Sequence, residues 1–348
     1  MKILVIRFKQ IGDALLSSVL CNSLKKSFPD SEIDYLIYEH IAPVFKNHPY
    51  IDNVISITKK EQKNPFLYFK KVYNVTRKKY DIIIDLMATP KSEFFCLFSL
   101  SSKYRIGRVG EKRKFLRGTT YNSHVFHNRN RLNEAMQALE PLKHLENKGF
   151  DITYDSKMVI ALEPQEKETL KTEMIKAGVD FNKKVFAFSI NSRRPEKVYP
   201  VDKMKKLIEM VLEKYDAQII FYYSQDEKAF AKNMHKNLNN DKRIFSNIKT
   251  KTIRELGALI SNCDIFVGNE GGPRHLAECL DIPTLSIWRP GCPDDIWCPG
   301  KGELHQTITI EEYEDKTSNF NELDFWQKFN LIQPEDIFNK LKKMIPFN

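Results

Sequence analysis

Short β-rich runs alternate with helical patterns in two successive series, and a polar stretch separates them; this alternation constrains the fold more than any other feature of the chain. In the first series, strand patterns at residues 3–6, 33–37, 54–57, 82–86 and 104–106 interleave with helical patterns at 13–24, 41–46, 68–78 and 92–99, and a further helix is expected over 132–146. In the second, strands at 184–190, 218–222, 265–267 and 284–287 alternate with helices at 201–214, 226–238, 253–261 and 272–280. Strands joined through helices form parallel sheets covered on their faces, so two Rossmann-like α/β domains are expected. A chain of 348 residues is also longer than one such core usually holds. The expected division is residues 1–165, then 180–330 beyond a linker, then a terminal helix within 331–348. Residues 107–129 read as a basic, aperiodic loop, and 289–330 as poorly periodic.

Composition excludes several classes. The six cysteines form no CxxC pair, so zinc and dithiol signatures are absent, and Cys292 and Cys298 stand close together without a second pair. The opening MKILVIRF enters a strand pattern directly and lacks the apolar stretch and cleavage site of a signal peptide, so a cytosolic location is expected. The strongly apolar run at 94–98 is far short of the roughly 20 residues that span a bilayer. The formal charge of +10 favours an anionic partner. It is concentrated in Lys59-Lys60, Lys70-Lys71 and Arg77-Lys78-Lys79, then in Arg105, Arg108, Lys112-Arg113-Lys114, Arg117, Arg129 and Arg131. Such residues form either a solvated face or a surface for acidic membrane lipids or a phosphorylated glycolipid. Nucleic acid is not expected, because no reading module or regular aromatic interleaving accompanies them.

Three segments carry chemistry. After the first strand comes Arg7-Phe8-Lys9-Gln10-Ile11-Gly12-Asp13, where Gly12 would allow a tight turn before a helix whose amides meet an anion. No GxGxxG is present, which disfavours a dinucleotide-binding dehydrogenase or epimerase. Asp13 reads either as a helix cap or as a base that accepts a proton from an attacking hydroxyl. In the second segment, Glu270-Gly271-Gly272-Pro273-Arg274-His275 joins a strand to a helix, and the glycines admit phosphate oxygens to the helix start. Arg274 and His275 would add donors there, with Glu270 orienting one of them or binding hydroxyls, although a plain turn and a satisfied buried histidine are the alternatives. In the third segment, Arg193, Arg194 and Lys197 follow the strand at 184–190 and would offset a departing diphosphate, unless they form a plain exposed loop. Asp226 or Glu227, after the next strand, would hold ribose hydroxyls. No DxD-like carboxylate pair stands beside the phosphate segment, so no metal is expected; Asp294-Asp295 reads as a solvated loop or helix cap.

These residues resemble the heptosyltransferases of glycosyltransferase family 9. The family's opening strand, Arg, loop and Gly-Asp are matched by ILVIRFKQIGDALLSSV, its Lys-x-Trp-Pro by Lys197-Val198-Tyr199-Pro200, and its Gly-Asn-Asp-[Ser/Thr]-Gly-x-x-His-x-Ala by Gly268 to Ala277. The resemblance implies a GT-B fold, two Rossmann-like domains facing across a cleft, with acceptor bound by the first and nucleotide sugar by the second. It implies inverting transfer from ADP-L-glycero-D-manno-heptose, with no other cofactor, to a phosphorylated lipid A–core precursor of lipopolysaccharide. The enzyme would then be cytoplasmic and peripheral on the anionic inner face of the inner membrane. Asp13 matches the general base, Lys197 the cation near the donor phosphates, and Gly272 and His275 the phosphate-facing turn and helix. Two departures, Glu270-Gly271 for Asp-Ser/Thr and Tyr199 for Trp, are expected to recut the pocket, with Arg274 replacing the lost donor. A different nucleotide sugar, or a non-catalytic homologue that binds one, is the alternative.

Overall fold

The computed structural model describes residues 1–108, 120–125 and 133–346. The chain divides into two compact units, Met1–Ala161 and Leu162–Asn348. The basic residues Lys112, Arg113, Lys114, Arg117, Arg129 and Arg131 lie outside the described residues.

In the first unit the order is β1 (Lys2–Ile6), α1 (Ile11–Ser27), β2 (Glu32–Tyr38), β3 (Asn53–Ile57), α2 (Lys59–Lys63), α3 (Pro65–Thr76), β4 (Ile82–Asp85), α4 (Pro90–Leu97), β5 (Tyr104–Arg108), β6 (Ser123–Val125) and α5 (Glu134–Glu146). The described strands are all parallel, in the order β3-β2-β1-β4-β5-β6. Their near-continuous apolar runs fit a sheet buried on both faces. Leu4 and Ile6 of β1 join Leu36, Ile83, Val72 and Phe95 in one core. The alternate residues turn to the opposite face, where Tyr35 of β2 donates to the Ala14 carbonyl of α1 at 2.8 Å. Asn64, Thr89 and Asn133 cap α3, α4 and α5 through side-chain oxygens.

The second unit repeats the scheme with α6 (Pro164–Lys176), β7 (Lys184–Ser189), α7 (Val201–Lys214), β8 (Ala217–Phe221), α8 (Lys228–Asn237), β9 (Ile244–Phe245), α9 (Ile253–Ile260), β10 (Ile265–Asn269), α10 (Gly272–Cys279), β11 (Thr284–Ile287), α11 (Asp294–Trp297), β12 (His305–Ile308), α12 (Phe325–Phe329) and α13 (Pro334–Met344). Its parallel order, β12-β11-β10-β7-β8-β9, is that of the first sheet with the strands renumbered. In both units the strand order reverses beside the first strand, between β1 and β4 and between β7 and β10. That reversal opens a crevice outside the strands' carboxyl ends. α6 begins in the stretch expected as linker but packs into the second unit: Glu166 accepts from Arg254 Nε and Nη2, each at 2.6 Å. α13 lies against the same core, where Ile337, Phe338 and Leu341 meet Leu207, Ile208 and Val211 of α7.

Gly268 fixes how close β10 comes to β7. It has φ +125°, and a Cβ there would meet the Ser189 carbonyl oxygen at 2.3 Å. Gly268→Ala therefore combines backbone strain with a clash against another strand's backbone, and is expected to destabilise the fold by about 2–4 kcal/mol, measured by urea unfolding.

Candidate functional site

The expected residues of the first unit gather at the carboxyl end of β1. Arg7, just beyond that strand, is 3% exposed, and its guanidinium donates to the Leu86 carbonyl after β4 and to two carboxylates, Asp13 Oδ1 and Glu134 Oε2, all at 3.2 Å. Lys9 Nζ lies 3.6 Å from the same Asp13 oxygen. Gln10 is the N-cap of α1 and makes no side-chain cap hydrogen bond, so Gly12 and Asp13 belong to the first helical turn. This differs from the tight turn expected at Gly12, and Asp13 is held by Arg7 as a partner rather than serving as the cap residue. Glu134, the first residue of α5, was not singled out in the sequence, because its approach to Arg7 crosses 127 residues. Beside them, buried Asp85 ends β4 and accepts from the amides of Met87 and Ala88 and from the Tyr121 hydroxyl. Burial raises its carboxyl above the usual range, against those hydrogen bonds.

The second unit brings its residues to the carboxyl ends of four neighbouring strands. Glu270, beyond β10, is 5% exposed, and its Oε2 receives Lys197 Nζ at 2.6 Å from the loop after β7. Arg289, beyond β11, places Nε 3.8 Å from the other carboxylate oxygen. Glu270 is thus flanked by two cations; Arg289 was missed, although its place just past a strand pattern was a usable signal. Asn269 Oδ1 accepts from the Tyr199 amide at 2.8 Å and ties the loop of Lys197 to β10. Gly271 is the N-cap of α10, without a side-chain cap bond, and Gly272 its first residue; Pro273 carries no N–H and the Arg274 amide donates to the Gly271 carbonyl at 3.2 Å, so the Gly272 amide is the leading donor of this first turn. Arg193 and Arg194 are exposed on the loop after β7. After β8, Glu227 accepts from the Ser224 amide at 2.8 Å and its hydroxyl at 2.7 Å, while Asp226 is exposed on the same turn.

Two expectations change. Arg274 does not fit a direct phosphate donor: it is 1% exposed, and it pairs with Glu278, donates to the Trp297 carbonyl at 2.7 Å and to Cys298 Sγ at 3.1 Å, and lies over the Trp288 ring. Its helical position points it beneath α10, where it anchors that helix to α11. Tyr199 is likewise buried, packs on Phe329 and donates to the Ile332 carbonyl at 2.9 Å, so its replacement of tryptophan is absorbed in the core under the site. His275 is 5% exposed, with Nδ1 2.8 Å from Glu278 Oε2. Asp294 accepts from Lys301 at 2.7 Å and from Thr307, joining α11 to β12, whereas Asp295 is exposed. Among the described residues no group of three or more His, Cys, Asp or Glu side chains is placed to hold a metal ion. A cavity of about 590 Å³ lies at the amino ends of the second unit's strands, lined by Lys184, Asp216 and Asp264, away from these residues.

Glu278 carries the charge under α10. Burial alone would raise its carboxyl, but Arg274 and the hydrogen bond from His275 outweigh burial and hold it at about 2 against an ordinary 4.5. A depressed carboxyl stabilises the fold fully above its unfolded value, and that contribution is lost as pH falls toward the folded value. Glu278→Gln should therefore cost about 3 kcal/mol at neutral pH, with the gap to the parent chain narrowing between pH 4.5 and about 2 in urea titrations.

The family profile of glycosyltransferase family 9 (heptosyltransferase) matches residues 69–322, well over half the chain. Lipopolysaccharide heptosyltransferase 1 of Campylobacter coli is 25% identical over 358 residues, covering 99% of each chain. Among solved structures, a family 9 glycosyl transferase from Veillonella parvula superposes with a TM-score of 0.80 at 17% identity, covering 99% of this chain and 96% of that one. The ADP-heptose LPS heptosyltransferase II of E. coli does so with 0.74 at 17%, covering 99% and 98%. These likenesses establish the GT-B fold of paired Rossmann-like lobes. With its sheets, its strand-end motifs and its profile in agreement, the chain belongs to glycosyltransferase family 9 (heptosyltransferase).

Proposed function

We propose that this chain transfers a heptose, with inversion, from ADP-L-glycero-D-manno-heptose to the inner core of lipopolysaccharide on a phosphorylated lipid A–core precursor. The observation that carries the reading is that residues 7–13, 197–200 and 268–277 stand at the strand ends beside β1, β7 and β10, where α/β sheets bind ligands; the last two segments lie inside the matched family profile. The E. coli relative named for ADP-heptose supports the donor assignment. The first unit takes the acceptor, and the second takes the nucleotide sugar. The protein works in the cytoplasm on the inner face of the inner membrane; among the described residues, no helix is long and apolar enough to cross a membrane.

In this reading Asp13, aligned by Arg7, removes the proton from the acceptor hydroxyl as its oxygen attacks the anomeric carbon. The bond from that carbon to the diphosphate breaks on the opposite face, and ADP leaves with the electron pair. Lys197 and the Gly272 amide at the start of α10 receive the growing negative charge, with Arg193 and Arg194 adding charge from the exposed loop. His275, braced by Glu278, fixes the first turns of α10. Asp226 is the freer of the two carboxylates for the ribose. A second reading keeps the mechanism and changes the sugar: Glu270 is longer than the family's aspartate, and Gly271 lacks the usual hydroxyl.

The test is a mass-spectrometric transfer assay offering ADP-heptose, UDP-hexoses and GDP-sugars with truncated core acceptors. A gain of one heptose from ADP-heptose alone is expected; gain from another donor would establish the second reading, and no gain from any would leave a binding protein. Asp13→Ala should lower turnover by about 10²–10⁴-fold while leaving ADP affinity intact, and near-normal turnover would remove Asp13 from the role of base. Lys197→Ala should weaken ADP binding about tenfold or more by calorimetry.

A further inference from the structure

We infer that the outward faces of α3 and α4 in the first unit form a docking surface for an anionic phospholipid bilayer. α3 is apolar on both sides. Tyr68, Val72 and Val75 turn into the core, while Phe66, Phe69 and Tyr73, spaced along the opposite face, are 87%, 42% and 62% exposed. The end of α4 continues the patch with Leu97, Phe98 and, just beyond, Leu100, which is 61% exposed. Phe69 joins the two helices, with its ring 4.9 Å from that of Phe94 and 6.3 Å from that of Phe98. A soluble surface rarely keeps so many large apolar side chains together unless something covers them.

Charge selects the occupant. Residues 59–103 hold ten lysines and arginines against four aspartates and glutamates, an excess of six in a chain whose formal net charge is +10. Lys70 and Arg77 lie on the same face of α3 as Phe66 and Tyr73, and Lys63 stands at the end of α2 just before it; all three are exposed. A second copy docking through the same face would set this positive charge against itself. An anionic headgroup layer attracts it, and each basic side chain near such a layer adds roughly fivefold in affinity. The aromatic rings then sink into the headgroup boundary, as on interfacial helices. The inference takes from the proposed reaction only its purpose, bringing the enzyme to a lipid-linked acceptor. Vesicle binding needs neither donor nor acceptor, so the two readings fail separately.

The experiment is flotation of the full chain with vesicles of phosphatidylcholine alone or of phosphatidylcholine and phosphatidylglycerol in equal parts. The parent chain should float with the mixed vesicles and not with the neutral ones, and Phe66→Trp should shift its emission to the blue on binding. Phe66→Ser with Phe98→Ser, and separately Lys63→Glu with Lys70→Glu, should each weaken binding about tenfold or more while melting as the parent does. Variants that bind within about twofold of the parent would overturn the inference, as would equal or absent binding to both vesicles. A dimer seen by sedimentation that Phe66→Ser with Phe98→Ser dissolves, without vesicle binding, would give the face to a second copy and overturn it too.

Discussion

A parallel strand can reach its neighbour only by a crossover, and both sheets of this protein are built under that constraint. Each starts in the middle, grows one way, then returns to grow the other, so the first strand of each unit has chain leaving in opposite directions on its two sides. The loops at that point diverge and expose strand-end backbone and helix starts. Most of the residues proposed for the reaction stand there: Arg7 and Asp13 follow β1, Lys197 follows β7, and Glu270 to His275 follow β10. The tight approach of Gly268 to Ser189 holds the second of these junctions closed at the level of the backbone.

Around the junctions, charge is arranged in two layers. In the outer layer, Lys197 and Arg289 flank Glu270, which holds the two cations beside the start of α10. Beneath it, Arg274, His275 and Glu278 form a buried set that fixes helix α10. A buried pair of this kind is costly to break and gives little net stability over an apolar pair, so its value lies in orientation. In the first unit Arg7 plays the aligning part, shared between Asp13 and Glu134.

Much of this was legible in the linear pattern. The strands at 284–287 and the helix at 201–214 fall where the periodicity places them, and the other long elements differ by a few residues at their ends. Three short strands escaped: β6, β9 and β12 sit at sheet edges and have four residues or fewer, too short to show a period. The helix α6 falls in the stretch expected as linker, because the contact that assigns it to the second unit, Glu166 with Arg254, joins residues 88 positions apart.

The sequence by itself determined the two α/β halves, the strand-to-helix junctions and the family, because those depend on local periodicity, on glycines at turns and on motif spacing. Only the tertiary structure decided which side chains at those junctions face outward. Arg274 and Glu278 stand one turn apart on the same helix, but nothing local says that the arginine will be taken into the interior against Trp297 and Cys298. Nor does it say that Tyr199 will be sealed under the site by Phe329, or that Glu134 will come to Arg7. Orientation of a polar side chain is set by the partners packed around it, and those partners arrive from distant parts of the chain only when the fold closes.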